Sequence, residues 1–324
     1  MKHNFRHFVG GIATIFVVSL LGSAFAQDLT PIRFVTNWFA EPEHGGFYAA
    51  VQDGIYEQYG LDVEIIQGGP NVAGMTLLAT DRVEFAMTDA AGTFFARNEG
   101  IPAVAFYGTF QNMPQGFMFH DGQPIEDFTD LEGRTIAISP GAPYWEFIKQ
   151  KYDLEGKVQV INYNGQIAEW LLDQERITQI YVTSEPFGAA REGATPQYLA
   201  IADSGFNPYA NIVVAKESFI AENPEVIRDF IAASQEGWAS FLADPTAYTE
   251  TIAEYNDSMT AEFMAWSNEQ QIPFVTSEIT EENGLGYMLA ERWQEMYDQL
   301  LELELLDGDM DPADAFTVEF FSAP

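Results

Sequence analysis

Between residues 32 and 66 the chain alternates between two periodicities. Ile32–Val35 is a short β-branched and apolar run, Gly46–Tyr59 has helical spacing, and Gly60 stops it before a second strand-like run, Leu61–Ile66. This strand–helix–strand unit then recurs. Further strand-like runs lie at Val83–Met87, Ala103–Tyr107, Gly116–His120, Thr135–Ile138, Val158–Asn162, Ile177–Val182, Gln197–Ile201 and Asn211–Ala215. Helical runs fall between most of them, at Val72–Thr80, Thr93–Glu99, Tyr144–Tyr152, Gln166–Asp173 and Phe187–Glu192. The alternation predicts helices covering parallel-type sheets. It occurs twice, once before about residue 115 and once from about 125 to 205, so the expected fold class is α/β with two lobes.

Past Ala215 the pattern becomes purely helical, with expected helices at Pro224–Ala243, Pro245–Tyr255, Thr260–Asn268, Glu281–Leu305 and Pro312–Phe316. Asn223-Pro224 and Asp244-Pro245 place a capping residue before a proline at the first helical position. Ile227, Phe230, Ile231, Ser234, Trp238 and Phe241 form a core-facing stripe, which assigns Trp238 to the core. The chain is expected to cross between lobes near 116–121 and 205–213. Lobe I is then 27–117 plus 213–324, and lobe II is 118–212. Hinge bending between such lobes would bury a ligand in the cleft.

Residues 1–26 have the composition of an export signal. Lys2 and Arg6 precede an apolar stretch, Gly10–Leu21, and Ala24-Phe25-Ala26 fits a cleavage site. Position 27 is Gln and the chain has no Cys, so neither a lipid anchor on a terminal cysteine nor a disulfide is expected. The expected location is the periplasm, with no membrane span after cleavage. There are 49 acidic residues against 14 basic ones; without Lys2 and Arg6 the net charge is near −37. Such a surface repels nucleic acid and anionic lipid. The charge is spread along the whole chain, as in a solvating surface for a saline habitat.

Only His44 and His120 remain after residue 26, far apart, so no metal site is expected. There is no G-x-S-x-G, no cysteine nucleophile, no G-x-G-x-x-G and no phosphate-binding G-x-x-x-x-G-K-[ST]. What remains is a set of loops at the carboxyl ends of expected strands, where open α/β sheets face their crevice. The first carries Asn37, Trp38, Glu43 and His44. Gly69 opens a helix after a strand, where backbone N–H groups meet a polar atom or simply shape a turn. Asp89 either touches ligand or caps the following helix. Ser139, Tyr144 and Trp145, then Tyr163 and Asn164, then Glu185 follow later strands. Trp38, Tyr144, Trp145 and Tyr163 offer stacking, and Glu43, Asp89 and Glu185 offer acceptors. No Arg or Lys lies in these loops, which favours a neutral or weakly cationic nitrogen heterocycle over an anion.

These residues also carry a family resemblance. Asn37-Trp38 through His44, Gly54-Ile55-Tyr56 through Tyr59-Gly60-Leu61-Asp62-Val63, Asp130–Thr135, Asn223–Phe230 and Leu242–Pro245 resemble the periplasmic substrate-binding proteins of ABC importers, in the group related to thiamine-pyrimidine synthesis proteins. The resemblance covers nearly all of the chain after the signal. It implies a type II periplasmic-binding-protein fold, with two α/β lobes, a two-strand hinge and a helical C-terminal part. It implies a carrier that delivers a thiamine precursor such as formylaminopyrimidine or hydroxymethylpyrimidine to a membrane permease. Riboflavin and sulfonate or taurine binders share the layout. Carried over by position, Trp38 and one of Tyr144 or Trp145 would sandwich the ring, Glu185 would read its amino group, and Asn37 and His44 would complete the polar contacts. A fungal enzyme of the same fold makes the pyrimidine from pyridoxal phosphate and its own histidine, with which His44 aligns. This chain lacks that enzyme's cysteine-rich segment, and its first lysine after residue 26 is Lys149. No enzymatic activity and no cofactor are therefore expected.

Overall fold

The structure is a computed structural model that describes residues 1, 29–70 and 72–321. The expected export signal, residues 1–26, falls outside the described residues apart from Met1. Among the described residues ten strands form two five-stranded sheets. The first contains β1 (Thr30–Val35), β2 (Leu61–Ile66), β3 (Phe85–Thr88), β4 (Ala103–Phe110) and β10 (Ala210–Lys216), in the order β2-β1-β3-β10-β4. The second contains β5 (Gln115–His120), β6 (Thr135–Ile138), β7 (Gln159–Asn162), β8 (Arg176–Tyr181) and β9 (Pro196–Ala200), in the order β7-β6-β8-β5-β9. All ten coincide with sequence expectations to within a few residues.

The sheets are mixed rather than wholly parallel. β1 pairs parallel with β2 and β3, and β6 with β7 and β8. β10 is antiparallel to both its neighbours, and so is β5. These two are the strands by which the chain enters a lobe from the other one. β4 ends at the cleft, so β5 must start there and run away from it; β9 and β10 repeat the arrangement in reverse. The cleft is therefore lined by the carboxyl ends of the parallel strands and the amino ends of β5 and β10. The connections are residues 111–114 and 201–209, irregular apart from a 3-10 turn at Ile201–Ser204, so they are not themselves strands. They lie slightly upstream of the expected 116–121 and 205–213, because β5 and β10 each pair wholly within the sheet they enter.

Several expected helices are broken or shortened, and Pro312–Phe316 forms only a 3-10 turn, Pro312–Ala315. Gly46–Tyr59 splits into Gly45–Gln52 and Ile55–Gln58 at Gly54, whose φ of 65° cannot continue a helix. Glu281–Leu305 splits into Glu278–Asn283 and Ala290–Glu302 around Gly284 and Gly286. Pro245–Tyr255 becomes a 3-10 turn and one short helix. Pro224–Ala243 is a single helix with Pro224 in its first turn, but Asn223 does not cap it. Its amide donates to Phe219 O at 3.0 Å and closes the preceding helix instead.

The helical stripe Ile227, Phe230, Ile231, Ser234, Trp238 and Phe241 is buried against one face of the first sheet together with Phe34, Phe47 and Phe106. A second core includes Val35 and Phe94 of lobe I and Phe117 and Ile136 of lobe II. Trp293, from the C-terminal helix, joins that same core. No helix among the described residues is long and apolar enough to cross a membrane.

Candidate functional site

The site is built on the loop that leaves β1. Thr36 Oγ1 donates to Trp38 O at 2.8 Å and accepts from Gly68 N at 3.0 Å, tying the loop to the end of β2. A Cβ at Gly68 would lie 2.1 Å from Thr36 O, so only glycine allows this approach. Pro42–His44 then makes a 3-10 turn into the helix Gly45–Gln52. That helix is fixed because Gly45 and Gly46 sit directly against the Phe241 and Trp238 rings. Glu41, Glu43 and His44 are thus held at the mouth of a rigid element.

From this loop a polar chain runs across the first sheet. The Asn37 amide donates to Asn211 Oδ1 at 3.0 Å, which leaves Asn37 Oδ1 to accept from His44 Nε2 at 2.9 Å. His44 therefore carries its proton on Nε2, and Nδ1 is buried without a partner. Burial holds the imidazole neutral, with its pKa pushed down to about 3 against a smaller opposing pull from the Phe39 backbone. Asn211 opens β10 with φ 48°, a left-handed conformation that asparagine tolerates better than most residues. Its amide reaches Glu43 O at 3.3 Å.

Lobe II completes the enclosure. Thr183 Oγ1 donates to Glu43 Oε1 at 2.5 Å, and Ser184 Oγ donates to Glu41 Oε2 at 2.9 Å, both across the cleft. Glu185 accepts from Tyr163 OH at 2.6 Å and from Tyr181 N at 2.7 Å. Gln179 Oε1 accepts from Ser139 N at 2.6 Å and Tyr144 OH at 2.7 Å, so its NH2 group is what it can offer the cavity. The resulting cavity has a volume of about 170 Å³ and is lined by residues of both lobes, among them Trp38, Tyr163 and Tyr181.

Three carboxylates, Glu41, Glu43 and Glu185, face this space, and among the described residues no Lys or Arg does. Glu43 is only 2 % exposed, and its Oε2 has no partner. Burial raises its pKa to about 7, opposed by the Thr183 hydroxyl and reinforced by Glu185. Glu41 is raised well above the usual carboxylate range, by desolvation first and then by Glu43 and Glu185. Desolvation also raises Glu185, against the bonds from Tyr163 and Tyr181. The cavity is thus rich in acceptors and aromatic surface and poor in positive charge. It suits a flat molecule bearing several N–H donors.

Of the residues expected from sequence, Asn37, Trp38, Glu43, His44, Ser139, Tyr163 and Glu185 line the cavity. Gly69 does not; it packs under the Phe39 ring and supports the loop. Asp89 caps the helix Ala90–Asn98, accepting from Gly92 N at 2.6 Å. Tyr144 and Trp145 are both buried in the core, and Tyr144 reaches the site only by holding Gln179. The second aromatic position is taken by Tyr163 and Tyr181. Asn164 is exposed and accepts from Gln166 N. Gly165 rather than Asn164 meets the Trp38 ring, with room for a Cβ only at 3.4 Å. Sequence reasoning missed Glu41, Gln115, Gln179, Tyr181, Ser184 and Asn211. Gln115 and Asn211 lie at the amino ends of the two crossing strands, which a search of carboxyl ends passes over.

No group of His, Asp or Glu that could hold a metal ion occurs among the described residues. Two sheets linked by two crossings, with a cavity between them, define the periplasmic-binding-protein fold. The aliphatic sulphonate binding protein SsuA from Escherichia coli shares it, at a TM-score of 0.71 and 14% identity, with 91% of this chain and 93% of that one covered. The chain belongs to the NMT1/THI5-like family, whose model matches residues 41–248. Riboflavin-binding protein RibY of Chloroflexus aurantiacus is 26% identical over 90% of this chain and 86% of its own length. The formylaminopyrimidine-binding protein of Halalkalibacterium halodurans is 21% identical over 94% and 96%. A 4-amino-5-hydroxymethyl-2-methylpyrimidine phosphate synthase of Schizosaccharomyces pombe is 26% identical over 69% and 68%.

Proposed function

We propose that this chain is the solute-binding component of an ABC importer, exported to the periplasm, which captures a small nitrogen heterocycle between its lobes and presents it to a permease. The observation that carries the ligand class is the lining of the cavity: aromatic rings and three carboxylates with no basic side chain among the described residues. An aminopyrimidine offers the flat face and the N–H donors this lining needs, and the formylaminopyrimidine-binding relative supports that ligand class. Sulfonates, nitrate and phosphate require Arg or a cluster of free N–H donors, so the likeness to SsuA is one of fold. Riboflavin is the second reading. It is favoured by the RibY relative and by an open groove that shares Trp38, Glu41, Ser184 and Glu185 with the cavity and lies beside it.

The synthase reading is weaker. Pyridoxal phosphate needs a lysine for its aldehyde and positive or N–H groups for its phosphate, and this lining supplies carboxylates instead. His44 is buried and engaged with Asn37. The residues present do not fit that cofactor.

Mass spectrometry of the molecule that co-purifies with the exported protein, with a thermal-shift panel of formylaminopyrimidine, hydroxymethylpyrimidine, thiamine, riboflavin and taurine, tests the assignment. A ligand of the folded state raises the melting temperature with dose. A pyrimidine response that disappears in Trp38→Ala, with the fold retained, is the expected result. A response to taurine alone overturns the heterocycle reading.

A further inference from the structure

We propose that the cleft accepts its ligand as a cation, and that this positive charge is what lets the lobes close on Glu41 and Glu43. The inference rests on the reading of the interlobe cavity as the ligand site and names the charge of the ligand. Glu41 and Glu43 come from lobe I, and the hydroxyls that bind them, Thr183 and Ser184, come from lobe II. Closure therefore moves two carboxylates out of water and towards a third, Glu185. The only bonds they gain across the cleft are from neutral hydroxyls. Burying an ionised carboxylate without a counter-charge is strongly unfavourable, and three facing one cavity repel each other. Where the fold does give a carboxylate a charged partner the contact is direct, as Glu84 with Arg33 and Glu146 with Lys149. Among the described residues no basic side chain lines this space, and burial holds His44 neutral. The missing partner is also visible in the geometry. Glu43, 2 % exposed, lines the cavity with Oε2 unpartnered. A ligand carrying a delocalised cation of the amidinium or aminopyridinium type would donate to that oxygen and neutralise the cluster. Without a ligand the cleft closes only by protonating Glu41 and Glu43, the direction in which the closed cavity shifts both, and a cationic ligand removes that requirement. The ligand's charge, rather than its shape alone, makes closure favourable.

Two flat probes of nearly the same outline separate charge from shape: 4-amino-1-methylpyridinium, a permanent cation, and 4-methylaniline, neutral near pH 7.5. Thermal shift reads binding and small-angle scattering reads closure. The cation is expected to raise the melting temperature with dose at millimolar concentration and to contract the protein, while 4-methylaniline does neither. Glu43→Gln, which keeps the shape and removes the charge, is expected to weaken the response to the cation roughly thirtyfold or more. Glu41→Gln supplies a second test should the first variant misfold. A response to 4-methylaniline equal to that of the cation overturns the proposal, as does no response to the cation, or an undiminished cation response in both Gln variants. Those failures leave the function itself standing if a heterocycle of the earlier panel still binds in a Trp38-dependent way. The function fails separately if none does.

Discussion

Glu43 and His44 are adjacent, both buried, and respond to pH in opposite directions. Glu43 titrates near 7 in the folded protein against an ordinary 4.5, so its contribution to stability is complete below about 4.5 and is lost as pH rises through about 7. His44 titrates near 3 against an ordinary 6.5, so its contribution is complete above 6.5 and is lost as pH falls towards 3. Between about 4.5 and 6.5 the two slopes oppose each other. Replacing His44 by Gln should make the melting temperature fall more steeply with rising pH across that window than in the parent protein. Replacing Glu43 by Gln should make the fall shallower. Melting curves of the three proteins at matched ionic strength check this, and a His44→Gln profile parallel to the parent's would show that the imidazole is charged in the fold. Both residues stand out in the sequence as polar groups in a loop after a strand. That one titrates up and the other down depends on burial, which no local pattern encodes.

Among the elements, glycines set how closely the helices and loops approach. A Cβ on Gly237 would lie 2.3 Å from Gly46 O and 2.6 Å from Ala50 Cβ, where the helices Gly45–Gln52 and Pro224–Ala243 cross. Gly237→Ala should therefore force the helices apart and cost about 1–3 kcal/mol, seen as a lower denaturation midpoint at an unchanged m-value. Gly68→Ala strikes the loop instead: its Cβ meets the Thr36 carbonyl, so Trp38 must move. We expect ligand affinity to fall by more than stability does, read by titration calorimetry on the folded fraction; intact affinity would detach the loop from the site. The strand and helix runs were legible because period-2 and period-3.6 patterns are local. The break at Gly286 was harder to see. The glycine has φ 89°, its Cα packs on the Tyr107 ring, and its carbonyl accepts from Gly108 N at 2.8 Å, all of which are contacts with a strand far away in sequence.

For the whole molecule, both connections between the lobes are held by one side chain from the C-terminal helix Ala290–Glu302. Arg292 donates to Gln111 O in the first connection and to Asn207 O, at 2.8 Å, in the second, and it stacks 3.9 Å from the Tyr209 ring centroid. The helical tail thus braces the hinge. Far from it, Phe187 of lobe II packs 5.1 Å from Phe263 and 5.4 Å from Trp266 of lobe I, closing the opposite rim. Arg292→Ala should lower stability by about 1–3 kcal/mol, since two part-buried carbonyls lose a charged donor. It should also enlarge the radius of gyration of the unliganded protein. Arg292→Lys should recover only part of this, because an ammonium cannot reproduce the planar fork and the stacking. An unchanged scattering profile in Arg292→Ala would assign the residue to stability alone.

The sequence by itself determined the ten strands, the two-lobed α/β architecture, the helical tail and the acidic, aromatic character of the loops at the strand ends. Each of these rests on periodicity, turn residues or residue type within a short window. Tertiary structure alone decided which loop residues meet. Tyr144 and Trp145 follow a strand just as Trp38 does, yet their helix turns both into the core, while Tyr163 and Tyr181 come to the cavity. Asn211 and Gln115 reach it because the chain crosses between lobes and re-enters each sheet from the cleft side. That reversal is a property of the chain path over more than a hundred residues, and it is what brings Glu41, Glu43 and Glu185 to face a single space.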